Sequence, residues 1–166
     1  MKFELVKDEI LSGEECSIYQ VYLEESDVYL FDVFWEENVD LFKSQIQNIN
    51  NKLYTIGHDM GAREQFFKLH EGKPGDLVCA IYDVPDSKLR LYCIRYGMDL
   101  VVLGGGGEKP KDIRAYQEDE NLNQQAEIIK TISDAIYEKQ RDGDIRFTNL
   151  GKDFEGELKF GYDEET

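Results

Sequence analysis

The chain has 166 residues, 41% hydrophobic and 12% aromatic, enough to bury a core without disulfide or metal staples. Its 19 Lys and Arg stand against 35 Asp and Glu, a net charge of −16 that excludes attraction of free nucleic acid at long range. No apolar run approaches the roughly 20 residues of a membrane span, so no membrane association is expected.

The charge is unevenly spread. Residues 1–60 carry a net −9, residues 61–117 a net +1 and residues 118–166 a net −8. Only the centre is not strongly acidic, so any RNA contact must be local. MKFELVKDEI does not read as a signal peptide, and the 3 cysteines lack C-x-x-C spacing. Reduced thiols and a cytoplasmic location are the expectation. A single domain over residues 1–166 is expected, with a hairpin and short helix at 1–39, a core at 40–117 and a helix and hairpin at 118–166.

FELVKDEI (3–10) and CSIYQVYLE (16–24) flank Ser12-Gly13-Glu14-Glu15 and read as a hairpin. Ser26 is placed to cap a short helix carrying Leu30, Phe31, Phe34 and Trp35. Asp40 is placed to cap the next. Its stripe Phe42, Ile46, Ile49, Leu53, Ile56 needs a sheet face to cover it, and Gly57 stands where it should stop. MGAREQFFKLHEGKPGD (60–76) predicts a helical turn and a loop, with Phe66 and Phe67 as core plugs.

Next come LVCAIYDV (77–84), KLRLYCIRY (88–96) and LVVL (100–103), separated by Pro85-Asp86-Ser87 and Gly97-Met98-Asp99. That pattern is an antiparallel meander. With Val84 opposite Lys88, Ile81 faces Leu91 and Cys79 faces Cys93 on an apolar face. Tyr82 then faces Arg90 and Ala80 faces Tyr92 on a more polar one. A disulfide between Cys79 and Cys93 would need oxidising conditions.

Gly104–Gly107 follow at once. A Walker loop fails, because Glu108 separates the glycines from Lys109, and Pro110 argues against an immediate helix. The plainer reading is a close-packed strand exit. Further on, Asn121 and Gln124 resemble a capping box. Leu122, Ala126, Ile129, Ile132 and Ile136 form a stripe, and Gly143 is a C-cap candidate. IRFT (145–148) and ELKF (157–160) are strand-like, and Asp163-Glu164-Glu165 should fray.

His58 and His70 lack ligand spacing to each other or to the cysteines, so neither a metal site nor a cofactor is expected. Basic residues interleaved with aromatics are the remaining candidate: Arg90 and Tyr92 on the meander, Lys109, Lys111, Arg114 and Tyr116 beyond it, and Lys73 ahead of it. RNA cleavage by its own 2′-hydroxyl needs a base, an acid and cations for the developing phosphorane charge. Lys and Arg meet the last need, and Tyr or Lys can move protons. Equally, Asp83, Asp86, Asp99, Glu108 and Asp112 can pair with these cations on a solvated surface.

The order helix, meander, glycine-rich exit, basic residues, helix resembles the RelE/HigB-like toxin family of toxin–antitoxin systems. The resemblance covers about residues 40–117 and is clearest in LRLYCIRYGMDLVVLGGGGEKPKDIRAYQ. It implies an α+β fold, an antiparallel meander sheet packed by N-terminal helices, to which this chain adds N- and C-terminal hairpins and a C-terminal helix. It also implies ribosome-dependent, metal-independent cleavage of mRNA, restrained by an antitoxin protein. Catalytic positions carried over are Arg90, Lys109, Lys111 and Tyr116, with Lys73, Tyr92 and Arg114 as RNA-binding positions. Such toxins are typically basic and place cations on the strand where this chain has VCAIYDV. The alternative is a toxin-fold module without catalysis whose acidic flanks meet a basic protein. Free DNA is not an expected partner.

Overall fold

A computed structural model describes residues 1–69, 77–81, 87–109, 119–148 and 150–161. Strands β1 (Phe3–Lys7), β2 (Ser17–Leu23) and β3 (Val28–Tyr29) precede helices α1 (Leu30–Asn38) and α2 (Lys43–Thr55). Strands β4 (Phe67–Lys68), β5 (Val78–Ile81), β6 (Leu89–Tyr96) and β7 (Leu100–Glu108) follow. Helix α3 (Glu120–Arg141) leads to β8 (Ile145–Thr148), β9 (Asp153–Gly156) and β10 (Lys159–Phe160). The main sheet runs β10-β1-β2-β7-β6-β5-β4, with β3 paired to β2.

The chain is mixed α+β, and β5, β6 and β7 form the expected antiparallel meander with Cys79 opposite Cys93 and Ala80 opposite Tyr92. Tyr82 and Val84 lie outside the described residues. Two expectations are corrected. The N-terminal hairpin is no appendage, because β2 pairs in parallel with β7, Ser17 opposite Leu100, and makes the sheet mixed. The C-terminal hairpin pairs IRFT with Asp153–Gly156, and Lys159–Phe160 instead extends the edge at β1. There the Phe3 and Phe160 rings stack at 4.3 Å.

Alternation along the strands feeds two cores. Ile46, Ile49, Leu53 and Ile56 of the α2 stripe pack with Phe31 and Phe34 of α1 against Cys79, Leu91, Cys93, Val101 and Leu103. This is the cover the apolar meander face required. The opposite face is also sealed, contrary to the expectation of a polar one. Ile129, Ile132 and Ile136 of α3 pack there with Val78, Ala80, Tyr92, Ile94 and Val102. Each fully buried aliphatic side chain of this kind contributes roughly 1.5–3 kcal/mol, so α3 is held by the sheet and not by propensity alone.

The glycine run is part of β7 and not an exit from it. Leu91 pairs with Gly106 but Cys93 with Leu103, so β7 carries one extra residue there, a β-bulge. A Cβ on Gly104 would meet Ile129, one on Gly105 would meet Gln125, and one on Gly107 would meet Asn121. Residues 121, 125 and 129 are successive i, i+4 positions, one ridge of α3. The glycines are the groove that ridge sits in, so the run is strand and not a phosphate loop.

Helix ends differ from the sequence signals. Tyr29 and Phe42, neither with a side-chain cap bond, precede α1 and α2 in place of Ser26 and Asp40. Gly57 does not stop α2; the chain continues through a π turn, Ile56–Met60, to Gly61 at φ 78°. A Cβ at Gly57 would lie 1.9 Å from the Leu11 carbonyl oxygen, so glycine is needed for close approach of the β1–β2 loop. The Glu15 and Cys16 amides both donate to the Gly57 carbonyl. Asp119, and not Asn121, caps α3, accepting from the Leu122 amide at 2.8 Å. At its far end Gly143 (φ 84°) donates to Gln140 O and Asp144 N to Lys139 O, a Schellman motif. Of the two expected plugs Phe67 is buried and Phe66 half-buried.

Candidate functional site

Arg90 and Tyr92 share one face of β6, each 4% exposed, and Tyr92 packs with α3. Arg90 pairs with Gly107 and Leu89 with Glu108, so the register brings Arg90 to the end of the meander where Lys109 leaves it. Lys109 is half-buried, and its amide donates to Lys88 O at 2.7 Å. Three of the expected positions thus lie close together on the backbone, but two are buried. Lys73, Lys111, Arg114 and Tyr116 lie outside the described residues. Another cation, Arg95, serves structure: its Nε donates to Ala62 O at 2.7 Å and its guanidinium lies 5.8 Å from the Phe67 ring centre.

Two of the thiols, Cys16 and Cys93, are poor nucleophiles. Burial, with a smaller push from Asp99, raises Cys16 to about 12. Cys93 is also raised, by burial and then by Cys79, whose sulfur lies 3.6 Å away. Thiolate is the reactive form, so both stay inert in the folded chain at neutral pH. His58 stacks on Tyr54 at 4.0 Å and its Nε2 lies 2.9 Å from Ile10 O, which ties the π turn to the β1–β2 loop.

A cleft of about 210 Å³ opens between the two N-terminal strands and α1, lined by Val6, Lys7, Asp8, Gln20, Tyr29 and Asp32. Asp8 ends β1 and turns the chain: its Oδ1 accepts from the Ile10 and Leu11 amides at 3.0 and 2.9 Å. Its Oδ2 accepts from Gln20 Nε2 at 3.0 Å. Asp32 stands in the first turn of α1, where the helix dipole favours carboxylate. Partial desolvation at the rim nonetheless raises its pKa, reinforced by Glu36 and Asp8. Net negative charge therefore collects here, in a recess that Tyr29 also lines.

Sequence reasoning passed over this cleft. One signal was present: in SIYQVYL, Gln20 shares the parity of Ile18, so a polar side chain occupies an inward position of an apolar strand. Asp8 and Asp32 give no such sign, since acidic residues are common throughout the first 60.

Among the described residues no three His, Cys, Asp or Glu are grouped to hold a metal ion, and no helix is long and apolar enough to cross a membrane. No protein-family model, curated protein or solved structure matches the chain.

Proposed function

We propose that the chain is the toxin component of a RelE/HigB-like toxin–antitoxin pair. The observation that carries this reading is the meander β5–β7, packed on one face by helices that precede it, with Arg90 and Lys109 brought to one end by its register. In this reading cations at that end hold the phosphate of ribosome-bound mRNA. Lys109 and Lys111 stabilise the phosphorane, and Tyr116 moves a proton. Arg90 is 4% exposed, so it supplies charge from beneath the site. Induced expression in bacteria should arrest growth and translation. A Lys109→Ala/Lys111→Ala/Tyr116→Phe variant of unchanged circular dichroism should grow normally; full arrest by that variant would remove the assignment.

A second reading has its own support. Helix α3 covers the face that bears Arg90 and Tyr92, and the acidic charge lies in the two flanks, at −9 and −8. That arrangement favours a toxin-fold module without catalysis that holds a basic protein. Harmless expression, with a protein partner captured at low salt and released by about 0.5 M salt, would favour it over the nuclease.

A further inference from the structure

We propose that the cleft between β1, β2 and the start of α1 binds an organic cation with N–H donors, an alkylammonium or guanidinium group, through Gln20 and Asp32. The inference does not depend on either reading above. Gln20 is 8% exposed, its Nε2 is engaged by Asp8, and its Oε1 has no hydrogen-bond partner among the described residues. Turning the amide over would set its oxygen against the Asp8 carboxylate, so the orientation is fixed by chemistry. A buried acceptor left open beside a cleft points to a donor that arrives from outside. The way in is the rim, where Asp32 is exposed and Tyr29 half-buried.

Charge selects the donor. Asp8 and Asp32 line the cleft, and Glu36 lies one turn along α1. Lys7 also lines it, but its ammonium lies 3.0 Å from Asp153 Oδ1, drawn toward the other face of the sheet, where Leu5 and Phe154 pack. A bare divalent ion fits poorly. Both Asp8 oxygens already accept hydrogen bonds, and a hard cation wants about six oxygen ligands. An N–H cation needs less: one donor to Gln20 Oε1, its charge against Asp32, and the Tyr29 ring beside its alkyl or planar part. The same chemistry comes from a free amine or from a lysine or arginine side chain.

The test is NMR titration of the isotope-labelled full-length chain with n-butylammonium, and in parallel with tetramethylammonium, which has the charge but no N–H. The Gln20 side-chain amide and the Asp32 and Tyr29 amide signals should move saturably with n-butylammonium alone. Asp32→Asn, a change at an exposed position, should weaken binding about tenfold. A short peptide with one lysine that binds more tightly than n-butylammonium assigns the site to a partner's side chain; equal or weaker binding assigns it to a free amine. An unmoved Gln20 signal, equal response to tetramethylammonium, or no weakening in Asp32→Asn overturns the proposal.

Discussion

Asp153 on β9 accepts the hydroxyl of Tyr19 at 3.2 Å across 134 positions of sequence, and the same oxygen accepts from Ser17 Oγ at 3.1 Å. Tyr19 Oη accepts in return from the Phe154 amide at 3.1 Å. The small C-terminal sheet is thereby fastened to β2 by a polar network, beside the Tyr19–Phe154 ring contact. Asp153→Ala should cost about 1–3 kcal/mol, because it strands two donors and the Lys7 ammonium. Tyr19→Phe should cost about 1 kcal/mol, and the two changes together less than their sum. Urea denaturation of the four proteins reads the coupling, and strict additivity would dismiss the network.

Alkaline pH should unfold the chain early. Tyr19 is raised to about 12 mainly by burial, with Asp153 and Glu9 adding to it and the Phe154 amide opposing. Cys16 is raised to about 12 by burial and Asp99, against Lys152 and Arg95. Both groups are neutral when protonated, so the folded state keeps protons that the unfolded state sheds from about 9 for Cys16 and about 10 for Tyr19. Stability is therefore full below pH 9 and falls as pH rises toward 12, by up to about 1.4 kcal/mol per pH unit for each group. Cys16→Ala should delay the onset by about one unit. A urea midpoint that stays flat from pH 8 to 11 would contradict this.

The glycine run makes a graded prediction. A Cβ at Gly106 would lie 1.9 Å from the Arg90 carbonyl oxygen, which is backbone and cannot step aside. At Gly105 the obstacle is Gln125 Oε1 at 2.4 Å, the far end of a flexible side chain. Gly106→Ala should therefore cost about 3 kcal/mol or leave insoluble protein, while Gly105→Ala should cost about 1 kcal/mol. Thermal unfolding ranks them, and equal losses would mean that β7 shifts as a unit.

The start of α3 gives the fourth. Asp119→Ala removes the acceptor of the Leu122 amide and the negative group at the positive helix end, about 1 kcal/mol. Asn121→Ala loses only a 3.5 Å contact to Gly106 O and should be near neutral. Chemical denaturation of both variants decides which residue is the cap.

What the sequence disclosed was periodic. The α2 stripe and the Cys79–Cys93 register were readable because a period of 3.6 or 2 survives in the residue string itself. The seat of α3 was not, because four glycines have no side chains to show a period and their partners Gln125 and Ile129 come some 20 residues later. Gly57 misled for a related reason: its lack of a side chain admits the Leu11 carbonyl from another loop, which local pattern does not record. Of the candidate site, the register sets Arg90 opposite Gly107, two residues before Lys109. The burial of Arg90 was hidden, since nothing local says that α3 returns over that face.

The parallel pairing of β2 with β7 joins Ser17 to Leu100, with two helices and most of the meander threaded between them. As the chain emerges from a ribosome, β1 and β2 must wait as a hairpin whose Ser17–Gln20 edge stays open until Leu100–Leu103 have been made. Contacts this distant in sequence slow folding and leave an unpaired margin that a second nascent copy can engage. Yield on refolding should accordingly fall with rising protein concentration and recover when refolding is carried out dilute.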